Sequence, residues 1–143
     1  MTILFDTNVI LDVMLLRQPF ASTAAALMAA VERGEISGML AATTVTTIYY
    51  LTAKAIGQPQ AHKEVAKLLM LFSVAPVSGS VLEAALRLPF KDFEDAVIHE
   101  AARLAGAQGI VTRNGPDFGR ATLRVYAPDS LRDMLKAIHP SRS

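Results

Sequence analysis

Cysteine is absent from the 143 residues, so disulfide frameworks and thiolate metal sites are excluded, and a bound metal must be held by oxygen or imidazole. Long apolar runs are missing as well: none approaches the roughly 20 residues that span a bilayer. The opening Met1-Thr-Ile-Leu-Phe-Asp6 has no basic segment ahead of an apolar one. The expectation is a cytoplasmic protein with no membrane contact. Neither sign of charge dominates, since 14 Lys and Arg against 13 Asp and Glu leave +1, and bulk charge neither demands nor excludes a nucleic-acid partner. The glycine patterns that cradle nucleotide phosphates are missing, as is G-x-S-x-G, so P-loop, dinucleotide and Ser/His/Asp chemistries find no support.

What is present suits a packed domain. The chain is 52% hydrophobic and 19% charged, and a chain of this length can bury roughly 70% of its unfolded surface. One domain over residues 1–139 is expected, with 140–143 as a frayed tail. Short apolar runs alternate with segments of helical period, the pattern of βα units around a parallel sheet. Strands are expected over residues 2–5, 37–41, 72–77, 109–112 and 123–127. Helices are expected over 22–33, which ends at Gly34, and over 43–56, which ends at Gly57 with Pro59 beyond. Further helices fit 61–71, a segment from Ser78 or Ser80 to Leu88, a segment from Phe93 closed by Gly106, and one beginning at Asp129 or Ser130. Inward stripes are read as Val65, Leu68, Leu69 and Phe72; as Phe93, Ala96, Val97, Ala101 and Leu104; and as Leu131, Met134, Leu135 and Ile138.

In an open parallel sheet, ligands sit beyond the carboxyl ends of the strands. Asp6 directly follows the run Ile3-Leu4-Phe5, and Thr7-Asn8 add short polar side chains; a helix cap is an equal reading of Asp6 alone. Asp117 follows the fourth strand through Thr112-Arg113-Asn114-Gly115-Pro116, where a turn-forming role competes with a ligand role. In Phe90-Lys91-Asp92-Phe93-Glu94-Asp95-Ala96, the positive end of a helix accounts for Asp92 and Glu94. It accounts less well for Asp95, which borders the buried stripe. Together, Asp6, Asp95 and Asp117 come from separate elements that the topology brings to one edge, where a cation must offset their repulsion. Hard oxygen ligands favour Mg²⁺ or Mn²⁺ over zinc, and such ions activate water for attack on a phosphodiester. Arg113, Arg120 and Arg124 surround the last acidic loop, as RNA contacts in the case of Arg113 and Arg120 or as ordinary solvated surface.

At these residues the sequence resembles the PIN-domain family, in particular its VapC-like toxin branch. The resemblance rests on Phe5-Asp6-Thr7-Asn8-Val9-Ile10-Leu11-Asp12, Thr44-Val45-Thr46-Thr47-Ile48-Tyr49-Tyr50, the segment from Phe90 to Ala96, and Ile110-Val111-Thr112-Arg113-Asn114-Gly115-Pro116-Asp117-Phe118. It implies a three-layer α/β/α, Rossmann-like fold with a mostly parallel five-stranded sheet. It also implies a Mg²⁺- or Mn²⁺-dependent endoribonuclease acting on RNA, a small antitoxin as partner and a homodimer. Asp6 matches the family's first acid, Asp95 the third and Asp117 the fourth, while Asn8, Thr112 and Asn114 match the supporting polar positions. The second acid is replaced by Thr47, so a binding domain with weakened catalysis is the alternative, and Asp92, one turn before Asp95, is a candidate for the missing charge. An Asp-nucleophile phosphatase fits poorly, because Asn8 stands where its second Asp would be.

His99, one turn after Asp95, is read as a satisfied supporting or surface histidine rather than a metal ligand. Tyr49 and Tyr50 are read as packing residues rather than base-stacking ones, since Val45, Ile48, Tyr49 and Thr52 recur at helical spacing.

Overall fold

The computed structural model describes residues 1–118 and 121–140. Five strands, β1 (Thr2–Phe5), β2 (Ser37–Ala41), β3 (Ser73–Ala75), β4 (Gly109–Val111) and β5 (Arg124–Tyr126), form one sheet in the order β3-β2-β1-β4-β5. Every pairing is parallel, with Leu4 opposite Met39 on one side and Ile110 on the other. Seven α-helices connect them among the described residues: α1 (Thr7–Met14), α2 (Ala21–Glu32), α3 (Ala42–Ile56), α4 (Gln58–Leu71), α5 (Gly79–Leu86), α6 (Phe93–Leu104) and α7 (Pro128–Ile138). None is long and apolar enough to cross a membrane.

Strand side chains alternate between faces, so β1 divides its apolar residues between two cores. Ile3 and Phe5 join Val9, Leu27, Ile48, Leu68, Phe72 and Leu131 under α1 to α4 and α7. Leu4 joins Val81, Val97, Ile98, Ala101, Ile110 and Phe118 under α5 and α6. This is the expected three-layer α/β/α arrangement. Gly38 lets the first core close, because a Cβ there would stand 2.5 Å from the Phe72 ring, which packs edge-on against Phe5 at 5.2 Å.

Several boundaries differ from the sequence expectation for physical reasons. Gly57, at φ 90°, ends α3 and also opens α4, so α4 starts at Gln58 rather than residue 61. Pro59 lies in the first turn, where its missing N–H is no loss. The third strand shrinks to Ser73–Ala75, since Phe72 terminates α4 and Pro76 cannot donate to the ladder. The helical stripes also end sooner than expected: Leu69, Phe93, Leu104 and Ile138 are about half exposed.

Candidate active site

Sheet order places the site. From central β1 the connections run to β2 on one side, while β4 returns to the other, which opens a crevice between the carboxyl ends of β1 and β4. Asp6 stands there, its N–H donating to the Val111 carbonyl at 3.0 Å. Its backbone is extended, so the side chain caps α1: Oδ1 accepts the Thr7 N–H at 2.7 Å. Oδ2 accepts the Thr112 hydroxyl at 2.7 Å and the Asn8 amide at 3.2 Å. Of the two roles weighed for Asp6, the structure shows the cap, made by a carboxylate that is buried yet bonded on both oxygens. Burial raises its pKa, the Thr112 and Thr7 bonds counter that, and the charge of Asp92 adds to the rise. Asn114 donates its N–H to the Thr112 hydroxyl at 3.0 Å, so the strand-end loop is built around the same group.

The first turn of α6 faces this edge. Asp92 is the cap, its Oδ1 accepting the Glu94 N–H at 2.8 Å and the Asp95 N–H at 3.3 Å. Asp95 is half buried, and its carboxyl is pushed up to about 7, first by burial, then by the charges of Asp6, Asp92, Asp117 and Glu94. Asp117 sits exposed on a single 3-10 turn, Gly115–Phe118. The predicted acids therefore feel one another across the crevice, but they are not drawn together: among the described residues no three His, Asp or Glu side chains form a ready metal cage.

Glu94 is a group that sequence reasoning assigned to the helix end alone. Its pKa is raised by partial burial and by Asp92 and Asp6, so it shares the field of the site. Asp12 went without a role, although a carboxylate between Leu11 and Val13 inside an apolar run demands a partner. It has two: Arg17 Nε at 2.9 Å and Arg113, whose Nε and Nη2 both reach it. Arg113 accordingly turns back toward α1 and stacks on Phe20, its guanidinium carbon 3.9 Å from the ring centre. Arg120 lies outside the described residues, and exposed Arg124 rests 5.7 Å from the Tyr126 ring.

Thr47 offers no carboxylate; its hydroxyl donates to the Thr43 carbonyl at 3.1 Å. Nearby, Thr7 donates to Thr44 at 3.0 Å, tying α1 to α3 through two buried hydroxyls. His99 is buried and satisfied. Its Nδ1 meets Glu100 at 3.1 Å, and Nε2 accepts the Thr122 N–H at 3.1 Å, which defines the Nδ1–H tautomer. Tyr49 packs against the core, whereas Tyr50 is exposed beneath the Lys54 ammonium at 4.8 Å.

The chain belongs to the PIN-domain family, whose model matches residues 2–115, a span that includes Asp6, Asp92, Asp95 and Thr112 and stops short of Asp117. Among solved structures it resembles FitAcB from Neisseria gonorrhoeae, with 22% identity over 88% of this chain and 97% of that one and a TM-score of 0.69. It also resembles the Mycobacterium tuberculosis toxin VapC20, which cleaves the sarcin-ricin loop, at 19% identity, 85% and 98% coverage and a TM-score of 0.64. VapBC2 from Rickettsia felis, bound to a promoter DNA fragment, matches at 14% identity, 89% and 98% coverage and 0.66. At these identities the likeness establishes the shared fold. No curated protein matches the chain in sequence.

Proposed function

We propose that the protein is a metal-dependent endoribonuclease acting as the toxin of a toxin–antitoxin pair. One observation carries the reading: carboxylates following β1, opening α6 and in the loop after β4 share one edge of the sheet, where burial first and then the charges of Asp6, Asp92, Asp117 and Glu94 push the Asp95 carboxyl up to about 7. Such crowding is costly unless a cation or a cationic partner relieves it. The donor set fits a hard ion. Mg²⁺ retains several waters and takes only one or two protein carboxylates together with substrate phosphates, so a closed cage is not required. Asp6 and Asp95 would hold it, with Asp117 and Asp92 contributing charge. When bound, Mg²⁺ or Mn²⁺ supplies the Lewis acidity that makes water nucleophilic and offsets charge on the phosphodiester.

The chain's own residues do the positioning. Thr112 and Asn8 fix the Asp6 carboxylate, so its orientation costs nothing on binding. Asp95 is poised between its two protonation states near neutral pH and can exchange a proton for positive charge. The partner would be a small antitoxin, as in the FitAB and VapBC complexes with DNA; the family resemblance also implies a homodimer. Purified protein should cleave RNA with Mg²⁺ or Mn²⁺ and lose that activity on chelation and in Asp6→Asn. Cleavage that persists in both cases would overturn the assignment.

The replacement of an acid by Thr47 favours a second reading, an RNA- or partner-binding domain with weakened catalysis. Its signature is RNA binding without metal-dependent turnover, and Thr47→Glu would then raise turnover.

A further inference from the structure

Beside the acidic edge, on the side away from α6, lies a cavity of ≈ 570 Å³, within the range of small-ligand sites. Its walls include Pro19, Phe20, Arg113, Pro128, Asp129 and Arg132. We propose that this cavity is a base-recognition subsite that stacks one nucleotide of single-stranded RNA next to the cleaved phosphodiester. The inference rests on the ribonuclease reading above and gives it a specificity pocket.

Arg113 forms the floor of the cavity's platform. Two bonds to Asp12, at 2.6 and 3.1 Å, fix the plane of its guanidinium. Arg17 closes the assembly by bonding Asp12 at 2.9 Å and the Asn8 carbonyl at 3.2 Å. On this rigid plane lies Phe20, which remains 38% exposed although it is a large apolar ring on a short loop. A flat, immobilised arginine–aromatic pair bordering an open cavity is the surface on which an unpaired base stacks.

Charge argues for a base rather than a phosphate. Arg17 and Arg113 share Asp12, while Arg132 lies 3.6 Å from Asp129 and 3.1 Å from Asp133. The three cations, Arg17, Arg113 and Arg132, are thus balanced by three carboxylates, Asp12, Asp129 and Asp133, which suits a neutral, planar ligand. The rim presents hydrogen-bonding groups for a base edge in Asp129, Arg132 and the Thr23 hydroxyl, the last bonded to both neighbours at 2.9 Å. Position completes the case: Arg113 follows Thr112, whose hydroxyl holds Asp6, and its N–H donates to Asn8 Oδ1 at 3.3 Å. A base on the platform therefore belongs to a nucleotide adjoining the acidic edge.

The chain contains no tryptophan, so Phe20→Trp installs a single reporter in the cavity. The experiment titrates this variant, in an Asp95→Asn background that prevents cleavage, with four labelled single-stranded RNA octamers, each rich in one base. Expected is quenching of tryptophan emission in parallel with the rise in octamer anisotropy, together with unequal affinities for the four octamers. Phe20→Leu, which keeps apolar bulk without the ring, should weaken octamer binding by about 5- to 150-fold, the loss expected for one stacked base. Binding by anisotropy with unchanged emission, or Phe20→Leu binding as tightly as the parent, would overturn the subsite and leave the nuclease reading standing. Absence of octamer binding to the parent protein would also overturn the subsite, whereas the nuclease reading falls only if the unsubstituted protein shows no metal-dependent RNA cleavage.

Discussion

Two aspartates enter apolar surroundings in this molecule and meet opposite fates. Asp12, 1% exposed, is held between the guanidinium groups of Arg17 and Arg113. Asp95, half buried, has no donor or cation bonded to its carboxylate among the described residues and faces four other acids. Removing a charge from water is tolerated when an opposite charge replaces the lost solvation. At Asp12 the chain supplies that charge itself, and the result is a rigid wall. At Asp95 it withholds it, and burial together with the neighbouring charges pushes the carboxyl up to about 7. Asp6 stands between the two, buried but bonded to neutral donors, and so oriented without being neutralised.

The largest expected effect is at the uncompensated acids. Asp95→Asn and Asp6→Asn should each lower metal-dependent RNA cleavage on the order of 100-fold or more, as loss of one electrostatic contact to reacting groups commonly does. Asn keeps the cap acceptor but puts an amide N–H where Asp6 accepts from Thr112 and Asn8, so urea unfolding of Asp6→Asn should show a loss of about 1–2 kcal/mol; a larger stability loss without loss of cleavage would invert the comparison. Asp12→Asn should do the reverse, leaving two guanidinium groups against a neutral amide. Breaking a buried pair of this kind costs about 3 kcal/mol, to be read from urea unfolding. Thr112→Val, isosteric but without the donor, should cost about 1–2 kcal/mol and reduce metal affinity measured by calorimetry. Unchanged affinity would show that the hydroxyl does not orient Asp6.

How much of this was legible in the sequence follows from the range of the forces involved. Apolar runs and glycine punctuation act locally, so the five strands and the identity of their followers, Asp6 and Thr112, could be read directly. The limits of α4 could not, because Gly57 and Pro59 serve equally as a stop and as a start, and packing with α3 decides between them. The edge shared by Asp6, Asp95 and Asp117 was legible from topology, whereas the looseness of their grouping was not, since side-chain separations depend on the placement of α6. Arg113 shows the same limit. In sequence it lies among arginines near an acidic loop, and only the fold reveals that residue 12, a hundred positions earlier, is its partner.

The smallest effect is the most diagnostic of the contrast between Asp12 and Asp95. Between its ordinary value of 3.8 and about 7, Asp95 holds in the folded state a proton that the unfolded chain has released. Wherever the folded state binds more protons, stability falls as pH rises, so folding free energy should decline across that window and level off above it. Asp6 and Glu94, also raised, act in the same direction. Glu100 is lowered, chiefly by its bonds to Arg103, so its contribution is lost only on acidification below the ordinary glutamate range and does not enter the window. Urea unfolding from about pH 5 to about pH 8 in chelator, a range clear of unperturbed carboxylates in which parent and variant share the same three histidines, should show the decline as a difference between the parent and Asp95→Asn. Asp95→Asn should make the decline shallower, leaving the part that Asp6 and Glu94 contribute, and saturating Mg²⁺ should add more stability at the upper end than at the lower, because cation and proton compete for one carboxylate. A slope unchanged by Asp95→Asn would place the strained proton elsewhere and remove the contrast between the paired and the unpaired aspartate.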